Sequence, residues 1–108
     1  MAKPDQVQDP RIRALIVAAR EAYLGDRNLE CMEKSGEAFL ELLRRQPDFM
    51  QSGPFAGNTR RVFPQLGVTL TGAESAAPAL VYQRQQFSNP DAITFYEYVT
   101  DCLVAANV

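Results

Sequence analysis

The sequence predicts a mainly α fold: a small four-helix domain with an irregular apolar segment between the second and third helices. Three observations predict it. Apolar residues recur at i, i+3/i+4 and i+7 along residues 29–46, the repeat of one helical face. Two pairs, Asp9-Pro10 and Asn89-Pro90, place a capping side chain before a proline suited to a first helical turn. Prolines and glycines then break up residues 47–71, where neither repeat can be traced. At 108 residues the chain has the length of one domain. A hydrophobic content of 46% is too high for a disordered chain.

Residues 1–8 are polar and are expected to form a flexible tail ahead of a single helical domain at 9–108. The first helix is expected at Pro10–Leu24, capped by Asp9 and closed by Gly25. Ile12, Leu15, Ile16, Ala19 and Tyr23 form its main stripe. Ala14, Val17, Ala18 and Ala22 widen it beyond what one neighbour covers.

A short connection leads to the second helix at 29–46, with Asn28 as its cap and Pro47 ending it. Leu29, Met32, Gly36, Phe39, Leu40 and Leu43 form its apolar face. Glu30 with Lys34, and Glu41 with Arg45, are spaced as i,i+4 ion pairs. Gly36 in mid-helix costs about 1 kcal/mol against alanine, so a close backbone approach is expected there. Ala14, Ala18 and Ala22 of the first helix would supply the matching flat surface.

Phe49, Met50, Phe55, Val62, Phe63 and Leu66 make the segment after Pro47 too apolar for a solvated linker. A short helix at 59–66 and an extended piece at 68–70 are expected within it. A third helix at 76–87, capped by Ser75, competes with a reading of short strands within 62–87, because LVYQRQQF does not settle its period. The fourth helix is expected at 90–105, with Ala92, Phe95, Tyr96, Val99 and Leu103 on one stripe and Asn89 as the cap.

Missing residue types bound the chemistry. Without histidine there is no Ser-His or Cys-His nucleophile pair and no imidazole metal ligand. A net charge of −2 gives no global field for nucleic acid or anionic lipid. No apolar run is long enough to span a membrane. The phosphate loops G-x-x-x-x-G-K-[ST] and G-x-G-x-x-G are absent. Cys31 and Cys102 read as core thiols in a reducing compartment, and MAKPDQVQDP has no hydrophobic signal region, so a cytoplasmic location is expected.

Arg60 and Arg61 sit among apolar anchors in the broken segment, where two guanidinium groups suit an anion or acidic partner. Arg44 and Arg45 read as solvated helix surface. So do Glu30, Glu33, Glu37 and Glu41, which lack the histidines that complete carboxylate metal sites. Cys31, in the first turn of its helix, is the one candidate nucleophile, with no base beside it. Of Phe87, Phe95, Tyr96 and Tyr98, the last lies off the main stripe and is expected near the surface.

Gln65-Leu66-Gly67-Val68-Thr69 contains LGVT, which resembles the turn of DNA-binding helix-turn-helix proteins. There a small residue makes the turn and a threonine caps the recognition helix. The match is confined to these residues. Pro64 breaks the preceding helix, Gly72 falls in the following one, and Arg84 is the only basic residue beyond Arg61.

The expected function is a small intracellular protein–protein interaction module, an adaptor, regulatory subunit or assembly chaperone and not an enzyme. Its partner-binding surface is expected at Phe55, Arg60, Arg61, Val62 and Phe63. No cofactor and no metal is expected. The wide stripe on the first helix and the extra aromatics of the last favour a homodimer. A nucleic-acid-binding regulator using the segment from Arg60 to Thr71 is the alternative.

Overall fold

The computed structural model describes residues 2–49, 61–71 and 79–108, with the backbone alone for 61–64. The chain is mainly helical. Among the described residues there are three α-helices, α1 (Pro10–Leu24), α2 (Asn28–Arg45) and α3 (Asn89–Ala105). Between α2 and α3 lie three short strands, β1 (Arg61–Phe63), β2 (Val68–Thr71) and β3 (Ala79–Tyr82). They form an antiparallel sheet in the order β1-β2-β3.

Four side-chain caps and end contacts set how the helices run. Asn28 Nδ2 donates to the Phe87 carbonyl at 3.0 Å, and Gln46 Nε2 to the Ala106 carbonyl at 3.0 Å, so α2 and α3 are parallel. Asn89 Nδ2 donates to Asp26 Oδ1, and Gln8 N to the Val108 carbonyl, so α1 runs antiparallel to α3. One core lies between them, with Ile12, Ile16, Met32, Phe39, Leu42, Phe95 and Leu103 fully buried.

Asp9 caps α1 as expected: Oδ1 accepts from Arg11 N and Ile12 N, both at 2.9 Å. Its Oδ2 accepts from Arg45 Nη1 at 2.8 Å, tying the start of α1 to the end of α2. The Ile12 amide and then the Arg45 guanidinium hold this carboxyl below its ordinary 3.8. A lowered folded pKa stabilises the fold above the unfolded value and is lost as pH falls through the folded one. Asp9→Ala is therefore expected to lower the melting temperature at pH 7, with the gap to wild type narrowing below pH 3.8. A gap that stays constant down to pH 2 would show that the charge is not involved.

Other caps differ from expectation by one residue. Ser88, not Asn89, caps α3, in a capping box with Asp91. Asn28 is the first residue of α2, and its side chain reaches Phe87 instead of its own helix end. The left-handed residue after α1 is Asp26 (φ 60°), whereas Gly25 is at φ −95°. The pairs on α2 form at i,i+3, as Arg27–Glu30, Lys34–Glu37 and Glu41–Arg44, because Arg45 turns to Asp9.

The segment expected as a flexible tail is docked from Ala2 onward. Ala2 N donates to Asp101 Oδ1 at 2.9 Å, residues Pro4–Gln6 form a 3-10 turn, and Val7 is fully buried. Val7 is the one large apolar residue between Ala2 and Pro10, and its burial anchors the polar residues around it.

The expected third helix at 76–87 is not formed over its described part. Ala79–Tyr82 is a strand, paired residue by residue with β2 (Leu70 with Leu80, Val68 with Tyr82). These four residues share the inward face, and Val68 and Leu70 are buried. Leu80 and Tyr82 have a spacing of two, so the period of a strand wins over that of a helix. The competing reading of short strands within 62–87 is the one the fold adopts. The start signal at Ser75 lies outside the described residues.

Gly36 is the point where sheet and helix meet. A Cβ there would fall on the Tyr82 hydroxyl and 2.6 Å from Leu80 Cδ1. Tyr82 Oη donates to the Met32 carbonyl at 2.9 Å across the gap. The close approach expected at Gly36 therefore admits β3, and not the alanines of α1. Of those, Ala22 is buried, while Ala14 and Ala18 line an open groove with Leu40.

Candidate functional site

Phe55 and Arg60, two of the expected partner-binding residues, lie outside the described residues. Arg61, Val62 and Phe63 form β1, an outer strand of the sheet, with Arg61 opposite Thr69 and Phe63 opposite Val68. The helix-turn-helix resemblance is not realised. Gly67, at φ 71°, makes a turn between a 3-10 piece (Pro64–Leu66) and β2, so Val68–Thr71 is a strand and not a recognition helix. The valine, threonine and leucine of this run suit a pleated, half-buried surface.

The nucleophile candidate is sealed. Cys31 is fully buried and donates to the Ala92 carbonyl, with Sγ 3.8 Å from the oxygen. Burial pushes its thiol up to about 11, only partly offset by the Ser35 hydroxyl. Proximity to the start of α2 does not overcome that desolvation. Cys102 is buried too, and its thiol is pushed up to about 12. Among the described residues no group of three or more carboxylates and thiols is placed to hold a metal ion. No helix among them is long and apolar enough to cross a membrane.

Arg84 has a structural task that its isolation in the sequence hid. Its Nε donates to the Leu66 carbonyl at 3.0 Å, its Nη2 pairs with Asp91 Oδ2 at 2.8 Å, and its guanidinium lies 5.2 Å from the Phe87 ring centre. It joins the sheet to the start of α3.

The broad stripe on α1 is where the surface departs from an ordinary one. The helix turns Ile12, Ile16, Ala19 and Ala22 into the core and leaves two apolar flanks. The flank toward α2 forms a groove of about 480 Å³, floored by Ala14, Leu15, Ala18 and Leu40. On its rim Lys34 and Arg44 already pair with Glu37 and Glu41.

The flank toward α3 is larger and carries bigger side chains. Val17 is 39% exposed and Leu24 61% exposed, one heptad apart on α1. With Tyr23, Ile93 and Tyr96 they line a groove of about 650 Å³, closed at one end by residues 2–5. Arg13, Arg20, Glu21 and Glu97 rim it. Arg13 is committed to the Val7 and Gln8 carbonyls, at 2.7 and 3.1 Å. Arg20, Glu21 and Glu97 form no ion pair among the described residues. The groove is apolar and arginine-flanked, the character expected of the partner site, but it stands on α1 and α3. The sequence signal for it was the width of the α1 stripe.

No family model matches this chain, and no curated protein or solved structure matches it either.

Proposed function

We propose that this chain is a small protein–protein interaction module, an adaptor, regulatory subunit or assembly chaperone, that seats a partner on the groove between α1 and α3. The observation that carries this reading is the pair Val17 and Leu24, exposed two turns apart on one face of α1, in an apolar groove beside Arg20. Contiguous apolar surface rimmed by charge favours association. Covering these two side chains would contribute about 2–3 kcal/mol. Two buried thiols with no disulfide suit a reducing compartment, which supports a cytoplasmic location for the module.

The stretch Phe55, Arg60, Arg61, Val62 and Phe63 is retained as a second contact region, reached along the outer strand β1. No feature of the described residues favours nucleic acid over protein as its target. Among the described residues the run directly after Gly67, Val68–Thr71, is a strand and not a recognition helix that could enter a groove of DNA.

The test is co-purification from the native lysate after nuclease treatment, with a quantitative comparison of three baits. Val17→Glu with Leu24→Glu is expected to lose at least nine-tenths of the specifically retained protein. Both sites are exposed, so the fold should be kept, which a melting curve would check. Arg60→Glu with Phe63→Ala tests the β1 region in the same way. Equal recovery by all three baits would count against the interaction reading as a whole.

A further inference from the structure

We infer that the occupant of the α1–α3 groove is a second copy of this chain, packed about a two-fold axis parallel to the helices so that each α1 lies over the partner's α3. This rests on the interaction reading above and names its partner. The two walls of the groove carry opposite charge. On the α1 wall stand Arg13 and Arg20 against Glu21, and on the α3 wall Glu97, in a helix with no basic residue. A face with one basic wall and one acidic wall is complementary to itself when a two-fold exchanges the walls. The other face-to-face arrangement, with the axis across the helices, would stack α1 on α1 and α3 on α3, setting like charges together.

The unpaired groups lie where this packing uses them. Arg20 and Glu97 rim the same groove, lack an ion pair among the described residues, and flank the exposed Val17 and Leu24. Glu21, one residue along α1, rims the same groove and leaves that wall with a net positive charge beside Arg13 and Arg20. Asp91 and Asp101 are already engaged, by Arg84 and the Ala2 amide. The exchange therefore centres on Arg20 and Glu97, formed twice by symmetry.

The area lies at the lower edge of what association needs. Helices of 15 and 17 residues are about 22 and 25 Å long, and side by side they present roughly 450 Å² in projection per copy. Two such faces remove about 900 Å² before side-chain relief is counted, close to the ~1,000 Å² a specific interface needs. An interface at that limit is a weak, transient one.

Sedimentation equilibrium on the purified chain tests this. Wild type is expected to dimerise, and Leu24→Glu to be monomeric. Arg20→Glu and Glu97→Arg alone are each expected to weaken the dimer at least roughly tenfold, because each sets two like-charged pairs together. Mixing these two variants is expected to restore it, since each chain supplies the charge the other has lost at both pairs. A wild type that stays monomeric to millimolar concentration would overturn the proposal. So would a dimer indifferent to Leu24→Glu, or a mixture no tighter than either variant alone. If wild type is monomeric yet Leu24→Glu loses a cellular protein in the co-purification, the second-copy assignment fails and the interaction reading stands.

Discussion

Gly36→Val is expected to lower the unfolding free energy by about 3 kcal/mol, in spite of valine's better helix propensity. Leaving glycine gains less than about 1 kcal/mol in a helix interior. Against it stands the joint between α2 and the sheet, where Tyr82 Oη and Leu80 Cδ1 occupy the space a β-carbon needs. Inserting a branched side chain into a filled contact costs about 1–3 kcal/mol. The tyrosine must also leave the Met32 carbonyl, and that hydrogen bond is worth about 1 kcal/mol.

The damage should be local to the sheet. The Tyr82 phenol, raised above its ordinary range by burial and by Glu33 and Glu37 nearby, should titrate nearer the normal value once displaced. A double-mutant cycle assigns the cause. In a Tyr82→Ala background, where the obstructing ring is gone, the cost of Gly36→Val should fall by more than 1 kcal/mol. If it is unchanged there, Gly36 is not the meeting point of sheet and helix.

Phe39→Ala is expected to cost about 4 kcal/mol, measured by urea denaturation. Phe39 is among the largest fully buried side chains, and its ring meets Tyr98 edge-on with centroids 6.1 Å apart. Removing a buried phenylalanine loses its transfer energy and leaves a cavity, together about 3–5 kcal/mol. Domains of this size hold a total of only about 5–15 kcal/mol, so the variant should be marginal at 37 °C. Phe39→Leu, which keeps most of the volume, should cost about 1 kcal/mol. Equal costs for the two would mean the ring fills no specific slot between α2 and α3.

How far the sequence could be read depends on the range of the interaction involved. Asp9-Pro10 and the Ser88–Asp91 stretch act on their own helix ends. A cap is a contact between residues two or three apart, so α1 and α3 were legible to within a residue. The apolar repeat of α2 was equally local. Strand β3 was not: whether Leu80 and Tyr82 join a helix or a strand turns on Leu70 and Val68, their partners across the sheet, and no periodicity in eight residues contains that. The partner of Gly36 was misread for the same reason. A mid-helix glycine announces a close approach without naming what approaches.

The candidate site divides in the same way. The width of the α1 stripe was visible as an excess of apolar positions. Which of them α2 and α3 would cover was a matter of packing angle, and that left Val17 and Leu24 outside. Val7 lies in the stretch read as a polar tail, and it is buried only because that stretch docks on the ends of α1 and α3. By itself the sequence determined α1, α2 and α3 to within a residue, the Asp9 cap, the unbroken charge bias of α3 and the absence of histidine chemistry. Each of these is fixed by residue type or by neighbours within one turn. Tertiary structure alone decided the strand pairing, the joint at Gly36, the sealing of Cys31 and the open groove on α1. Each depends on residues distant in the chain meeting at one place, where burial and mutual exclusion of volume set the outcome.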